Sequence, residues 1–138
     1  MLNKQYFQVV LIVFYRSGRF LLTRRKDKKK AFANRWHIPG GSWEINEDID
    51  TAIRREVKEE LGIKLKEYKV LPYIFEEIRG DRFYLYVVFY APFPEKAKIV
   101  LNEEADLYGW FTLDEIKKLP SFPLTYQQIK KVNEIIEK

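Results

Sequence analysis

Residues 41–63 contain several glutamates whose spacing predicts that they lie on one helix, and a glycine stands near each end of the segment. Successive residues of an α-helix lie about 100° apart around its axis, so Glu56 and Glu60 fall within about 40° of each other, on the side that carries the apolar residues. Glu59 follows about 60° from Glu56. Carboxylates packed beside apolar side chains repel one another and lose hydration unless a positive charge neutralises them. The segment therefore predicts a helix over residues 48–61 that offers a divalent cation three oxygen ligands, Glu56, Glu59 and Glu60.

The composition restricts both the class of protein and the kind of metal site. A chain of 138 residues with 46% hydrophobic content is long enough for one well-packed domain, which we expect to span residues 1–138. The absence of cysteine and the single histidine, His37, exclude disulfides, thiolate chemistry and a histidine-rich zinc site, so any metal must bind to oxygen. The longest apolar stretch, residues 9–15, is too short to span a bilayer and lacks a signal-peptide pattern, so we expect a soluble, cytoplasmic protein that contacts no membrane.

The pattern of apolar, turn and capping residues predicts strands first, a helix in the middle and helices at the end. Such an order is typical of an α+β domain with a mixed sheet covered by helices. Gly62 should end the carboxylate helix in a left-handed cap, and Thr112 with Glu115 should form a capping box. The predicted segments are a hairpin over residues 5–15 and 20–24 around Ser17 and Gly18, a basic loop over 26–34, a turn at Gly40 and Gly41, a second hairpin over 69–77 and 82–91, a strand over 107–111, a short helix ending before Pro120, and a last helix after Pro123.

The same residues resemble a known family signature. Gly41, five residues, Glu47, seven residues, and then the run from Arg55 to Ile63 match the Nudix box at every specified position. The residues before it, 36–41, and the segment around Trp110 are also similar to that family. The chain therefore resembles a Nudix hydrolase over nearly its whole length. The resemblance implies an α/β/α sandwich and metal-dependent hydrolysis of a diphosphate linkage.

This resemblance implies roles for individual residues around the metal. Magnesium prefers octahedral oxygen coordination and is usually held by a few carboxylates together with substrate phosphates, so Mg²⁺ is the expected ion, with Mn²⁺ as the alternative. The backbone carbonyl of Gly41 or Gly40 is a further candidate ligand. Glu59 is assigned to catalysis as well as to the metal. Glu47 and Arg55 should form a salt bridge that orients the first metal-binding glutamate.

A base must take a proton from the attacking water, and the loop before Trp110 supplies the candidates. Family members often place a base or an additional metal-binding glutamate there. Glu104 is the first choice and Glu103 the second. The alternative is that both are solvated loop residues with no catalytic role. Two weaker candidates for the same role are Glu76 and Glu77.

Substrate contacts are predicted from basic residues near a strand end. Arg24, Arg25 and the lysines of residues 26–30 can contact phosphates, although most such runs are simply solvated, and Gly40 is a further candidate. The net charge of +5 suits phosphate-bearing ligands and is also common on ordinary surfaces. His37 is expected to be a structural residue. One aromatic side chain could stack on a base, but most such residues belong to the core; the candidates are Phe32, Trp36, Tyr73, Tyr84 and Tyr108.

The predicted activity is hydrolysis of a diphosphate linkage in a nucleoside triphosphate, oxidised or noncanonical forms included, or in another nucleoside diphosphate derivative. The spacing marks of nucleotide-sugar and dinucleoside polyphosphate hydrolases are not evident after the motif. One alternative is removal of pyrophosphate from the 5′ end of RNA. The other is a Nudix domain that binds a nucleotide without hydrolysing it, since a fold does not fix a function. The oligomeric state does not follow from the sequence.

Overall fold

The computed structural model describes residues 4–26 and 32–137, so the lysines at 28–30 of the predicted basic loop lie outside the described residues. Within these ranges, no helix is long and apolar enough to cross a membrane. The strands and helices in chain order are β1 (Gln5–Arg16), β2 (Arg19–Arg25), β3 (Trp36–His37), β4 (Gly40–Ser42), α1 (Ile49–Leu61), β5 (Lys69–Arg79), β6 (Arg82–Pro92), β7 (Ala105–Phe111), α2 (Leu113–Lys118) and α3 (Thr125–Ile136).

The sheet is mixed, and it opens between its first two strands. β1 runs parallel to β6, while the other pairings are antiparallel. β1 and β2 pair beside their turn, at Tyr15–Phe20 and Arg16–Arg19, and then diverge. β1 continues beside β4 and β6, whereas β2 continues beside β3 and β7. This divergence leaves space in the middle of the sheet at the level of β4.

Helices cover both faces of the sheet, and the alternation of side chains along β1 fills both cores. Val10, Ile12 and Phe14 are buried on the face that packs against α1. Leu11 and Val13 point to the opposite face, where α2 and α3 supply the apolar partners. Successive residues of a strand face opposite sides, so one uninterrupted apolar strand serves two layers. This arrangement confirms the predicted α+β class with a mixed sheet.

Local signals place α1 where the sequence predicts it. Asp48 caps the N-terminus and accepts a hydrogen bond from the Thr51 N–H at 2.8 Å. Gly62 ends the helix with φ 68°, and its N–H donates to the Lys58 carbonyl at 3.0 Å. A left-handed cap of this kind favours glycine, which lacks a Cβ. The predicted capping box between Thr112 and Glu115 is also present.

The predicted turn at Gly40 and Gly41 is wrong, because both residues belong to β4. Gly40 pairs with Leu11 and Gly41 with Val10 in an antiparallel ladder. Gly40 has φ 150°, and a Cβ there would overlap the Val10 carbonyl oxygen. The glycines therefore serve the close approach of two strands rather than a chain reversal.

Candidate active site

A cavity of about 950 Å³ lies where the sheet opens. Its walls come from both helical layers, since α1 and α3, which cover opposite faces, both contribute side chains. The predicted site residues that line it are Gly40, Gly41, Arg25, Arg55, Glu56, Glu59, Glu60, Glu103 and Glu104, together with the weaker candidates Glu77 and Tyr84. Residues far apart in the sequence are thereby brought to a single site.

The three motif glutamates differ in their exposure and in their partners. Glu56 and Glu60 are each only 8% exposed, although both are charged residue types. Glu60 Oε2 accepts a hydrogen bond from the Gly40 N–H at 3.0 Å. Glu56 Oε1 accepts one from Arg55 Nη1 at 2.9 Å, and the exposed Glu59 carboxylate lies 3.4 Å from the same nitrogen. One backbone amide and one guanidinium thus hold all three carboxylates.

The site concentrates negative charge where water is scarce. Burial raises the pKa of Glu60 to about 8, helped by the charges of Glu56 and Glu104 and opposed by the Gly40 N–H. Burial also raises the pKa of Glu56, while Arg55 works against that shift. Each ionised carboxylate therefore costs free energy in this cavity, and a bound cation would recover it.

The donor set fits a hard divalent ion such as Mg²⁺. All the side chains concerned offer oxygen, which is the ligand that this ion prefers. Among the described residues, no three His, Cys, Asp or Glu side chains are arranged around one point as a ready-made metal site. Instead, the Arg55 guanidinium offsets the charges of Glu56 and Glu59, while Glu60 accepts a hydrogen bond from the neutral Gly40 N–H.

Arg55 ties α1 to the strand and loop before it. Its guanidinium binds Glu47 with two hydrogen bonds, from Nε at 2.8 Å and from Nη2 at 2.9 Å, as the sequence predicts. Nη2 also donates to the Ser42 carbonyl at 2.9 Å. The hydrogen bonds from Arg55 and from the Glu44 N–H lower the pKa of Glu47 to about 2. The ion pair therefore stays charged across the whole neutral range and fixes the position of Arg55.

Gly41 lies directly against the Glu56 carboxylate. A Cβ at this position would overlap the carboxylate, whose Cδ would be 2.6 Å away. The absence of a side chain therefore allows the backbone of β4 to approach the glutamate closely. This proximity is what a backbone carbonyl ligand beside Glu56 would require.

Comparison with known proteins identifies the family. Residues 5–132 match the NUDIX domain model. The chain belongs to the Nudix family. It is similar to the nucleoside triphosphatase NudI of Escherichia fergusonii, with 29% identity over 111 residues that cover 74% of this chain and 79% of the relative. The corresponding NudI of Klebsiella pneumoniae is 27% identical over 118 residues, covering 79% and 84%.

Solved structures agree with the Nudix assignment. The MutT NUDIX hydrolase from Burkholderia pseudomallei is 27% identical and superposes with a TM-score of 0.80, covering 94% of this chain and 99% of that one. The MutT protein from Methanosarcina mazei has a TM-score of 0.85 over the full length of both chains at 24% identity, which shows the shared fold. Together these relatives identify a Nudix-type pyrophosphohydrolase that acts on nucleotide diphosphate linkages, a family that generally uses divalent metal ions.

The candidate bases of this Nudix hydrolase differ in their partners and in whether they line the cavity. Glu103 and Glu104 are exposed and line the cavity, and the charge of Glu104 acts on both Glu56 and Glu60. Glu77 also lines the cavity, but its carboxylate accepts a 2.5 Å hydrogen bond from the Tyr86 hydroxyl. Glu76 does not line it. The structure thus places Glu104 near the metal-binding candidates and commits Glu77 to another partner.

The three predicted substrate contacts, Arg24, Arg25 and Gly40, differ in where they lie, and only Arg24 is away from the cavity. Arg24 does not line the cavity; it binds Asp106 through Nε at 3.0 Å and Nη2 at 2.6 Å. The neighbouring Arg25 does line it, because successive residues of a strand face opposite sides of the sheet. Gly40 lines the cavity too, but its N–H is committed to Glu60 and is not free for a substrate oxygen.

His37 has partners on both ring nitrogens, as expected for a structural residue. Nε2 lies 3.2 Å from the Thr23 hydroxyl, and Nδ1 lies 3.0 Å from the Ile38 carbonyl. The ring also stacks on Phe122, with 4.8 Å between centroids. Burial lowers the pKa of His37 to about 4, so the ring is neutral at neutral pH.

The sequence did not single out Arg79, Thr125 or Gln128, which line the cavity beside the stacking candidate Tyr84. Arg79 lies between two aromatic rings, 4.0 Å from the Tyr84 centroid and 4.8 Å from that of Phe32. Two polar residues of α3, Thr125 and Gln128, line the same cavity and are each 2% exposed. The sequence does contain a sign that Gln128 is buried. It stands four residues from both Leu124 and Val132, on the apolar side of the last helix.

Proposed function

We propose that this Nudix hydrolase cleaves a diphosphate linkage of a nucleoside triphosphate, in a common, oxidised or noncanonical form, with Mg²⁺ as the activating ion. The ion would be held by Glu56, Glu59, Glu60 and the Gly41 carbonyl, and Mn²⁺ could replace it. The observation that carries the proposal is the burial of Glu56 and Glu60, at 8% exposure each, in one cavity. Two nearly buried carboxylates on adjacent turns are costly to ionise, and the Arg55 guanidinium at Glu56 offsets only part of that cost, which a bound divalent ion would remove.

The residues around the ion have separate tasks. A bound divalent ion would neutralise phosphate charge and make its bound water more acidic. The Gly40 N–H orients Glu60, and Arg55, held by Glu47, orients Glu56. These contacts keep the two carboxylates in position.

The chemical step needs a water, a base and a leaving group. The water oxygen attacks a phosphorus atom, the bond to the bridging oxygen breaks, and the water proton passes to the Glu104 carboxylate. The products are then a nucleoside monophosphate and pyrophosphate. Arg25 lines the cavity and supplies positive charge for the substrate phosphates.

The size of the cavity supports a small nucleotide as substrate. Its volume of about 950 Å³ falls within the range of small-molecule sites. The names of the nucleoside triphosphatase relatives agree with this substrate class. Removal of pyrophosphate from RNA is the alternative that the basic composition favours.

A substrate panel tests the proposal. The protein is incubated with Mg²⁺ and, separately, nucleoside triphosphates, oxidised nucleoside triphosphates, nucleotide sugars, dinucleoside polyphosphates and 5′-triphosphorylated RNA, and released phosphate and pyrophosphate are measured. We expect a nucleoside triphosphate or its oxidised form to give the highest kcat/KM and the chelator EDTA to abolish the activity. Preference for RNA, with a rate that falls steeply as salt rises, would overturn the substrate assignment. Nucleotide binding without hydrolysis of any substrate would show a non-catalytic domain.

A further inference from the structure

Gln128 has a buried amide group that the fold leaves without a partner. Within the described residues its Nε2 is inaccessible to solvent and has no hydrogen-bond partner. The whole residue is 2% exposed, yet it lines the cavity that also contains the motif glutamates. A buried N–H without an acceptor costs about as much as a lost hydrogen bond, so such groups are rare in folded proteins.

The buried side of α3 is polar only where it lines the cavity. Thr125 and Gln128 line it, whereas Ile129 and Val132 are apolar and fully buried and do not. An aliphatic residue of the same size would pack there without leaving an N–H unpaired. The amide is therefore better explained by an acceptor that enters the cavity than by packing.

The position of Gln128 indicates which part of a nucleotide would meet it. The motif glutamates belong to α1 on one face of the sheet, whereas Gln128 belongs to α3 on the other. A nucleotide whose phosphates lie at the glutamates can therefore reach Gln128 with its base. Tyr84 and Phe122 also line the cavity. Their ring faces already pack against Arg79 and His37, so the base contact rests on Gln128.

We infer that Gln128 is a specificity-determining residue whose Nε2 donates a hydrogen bond to a carbonyl oxygen of the nucleobase. This inference rests on the proposed nucleotide substrate. Guanine, hypoxanthine, uracil and thymine carry a carbonyl oxygen where adenine and cytosine carry an amino group. An amino group at that place would leave the amide unpaired and would present a second donor to it. The protein therefore prefers oxo bases to amino bases.

Inosine triphosphate and ATP provide the sharpest comparison, because their bases differ at the 6-position, oxo in one and amino in the other. We expect wild-type kcat/KM to be about 10-fold or more higher for inosine triphosphate, the discrimination typical of one buried hydrogen bond. In Gln128→Leu the ratio should fall towards one. Gln127→Leu is the matched control, because Gln127 is its exposed neighbour on the same helix, and it should keep the wild-type ratio. An unchanged ratio in Gln128→Leu would overturn the inference.

A binding measurement separates this inference from the proposed reaction. The side-chain amide resonances of Gln128 are assigned in ¹⁵N-labelled protein by their loss in Gln128→Leu, or in Gln128→Met if the leucine variant does not fold. We expect millimolar inosine, which has no phosphate, to shift these resonances more than adenosine does. That result supports the inference even if no nucleotide is hydrolysed. If the protein hydrolyses nucleotides but neither inosine nor adenosine shifts the Gln128 amide resonances, the inference is refuted. The proposed function then still stands.

Discussion

Arg55 and Glu47 form a two-point ion pair, with Nε 2.8 Å from Oε2 and Nη2 2.9 Å from Oε1. The same guanidinium reaches Glu56 and the Ser42 carbonyl. Only a planar group with several fixed donors can make these contacts together, so a lysine cannot replace it. The relationship joins the loop before α1 to the first buried glutamate of the helix.

Replacing Arg55 with lysine should lower turnover without unfolding the protein. We expect kcat at saturating Mg²⁺ to fall by about 10- to 100-fold, the usual cost of losing a residue that orients a metal ligand. Arg54→Lys is the matched control, since Arg54 directly precedes Arg55 and forms an exposed pair with Asp50. A similar loss in both variants would show that Arg55 has no particular role in positioning Glu56.

Replacing Glu60 with glutamine should separate stability from activity. The amide oxygen can still accept the Gly40 N–H, and the variant removes a buried carboxylate whose pKa burial raises to about 8. We expect the Tm to be equal to or higher than that of the wild type. We expect kcat to fall by more than the roughly 100-fold that marks the upper range for residues that only orient a metal ligand. Glu56→Gln should behave in the same way. Near wild-type turnover at limiting Mg²⁺ in either variant would exclude that glutamate as a ligand.

Replacing Glu104 with glutamine tests the assignment of the base. A general base contributes about 10²- to 10⁴-fold to the rate, so we expect kcat to fall within that range while KM changes less. Glu103→Gln is the control, because its side chain is also exposed and lines the cavity. If kcat falls in Glu103→Gln and not in Glu104→Gln, the base is Glu103 rather than Glu104.

Replacing Gly41 with alanine should affect the metal rather than the fold. The new Cβ would overlap the Glu56 carboxylate and force it to rotate away from β4. We expect the Mg²⁺ concentration for half-maximal activity to rise several-fold, with the Tm close to that of the wild type. An unchanged Mg²⁺ dependence would show that Glu56 does not need its present position to bind the ion.

His37 should make the protein less stable as the pH falls from about 6.5 to about 4. Its pKa is lowered to about 4 in the folded protein, so over this window the unfolded chain binds a proton that the folded protein does not. Stability is therefore complete above the unfolded pKa and declines below it. Chemical denaturation of wild type and His37→Gln across this range should show a loss in the wild type that is larger by about 1 to 3 kcal/mol. Because His37 is the single histidine, proton NMR can measure its pKa directly, and a value near 6.5 would contradict this expectation.

Much of the site follows from local sequence signals. Asp48 and Gly62 set the ends of α1, and the spacing within that helix then places Glu56 and Glu60 on its buried side. These features depend on contacts between residues close in the chain, so they can be predicted without the rest of the fold. The Glu47–Arg55 pair was expected from the family signature, and the structure contains it.

Other features depend on which strands meet. Gly40 and Gly41 form β4 instead of a turn because β1, about 30 residues earlier, pairs with them. Arg24 binds Asp106, 82 residues later in the chain, because β2 pairs with β7. A pairing between strands so far apart in the chain is not contained in either segment alone.

The amino-acid sequence by itself determined the carboxylate helix, its caps and the family, because each is contained in a short run of residues. Only the tertiary structure decided that the α3 residue Gln128 shares a cavity with the α1 residue Glu60. The two residues are far apart in the chain and lie on helices that cover opposite faces of the sheet. Their common cavity exists because β1 and β2 diverge after their turn, and this divergence results from strand pairing across the whole domain.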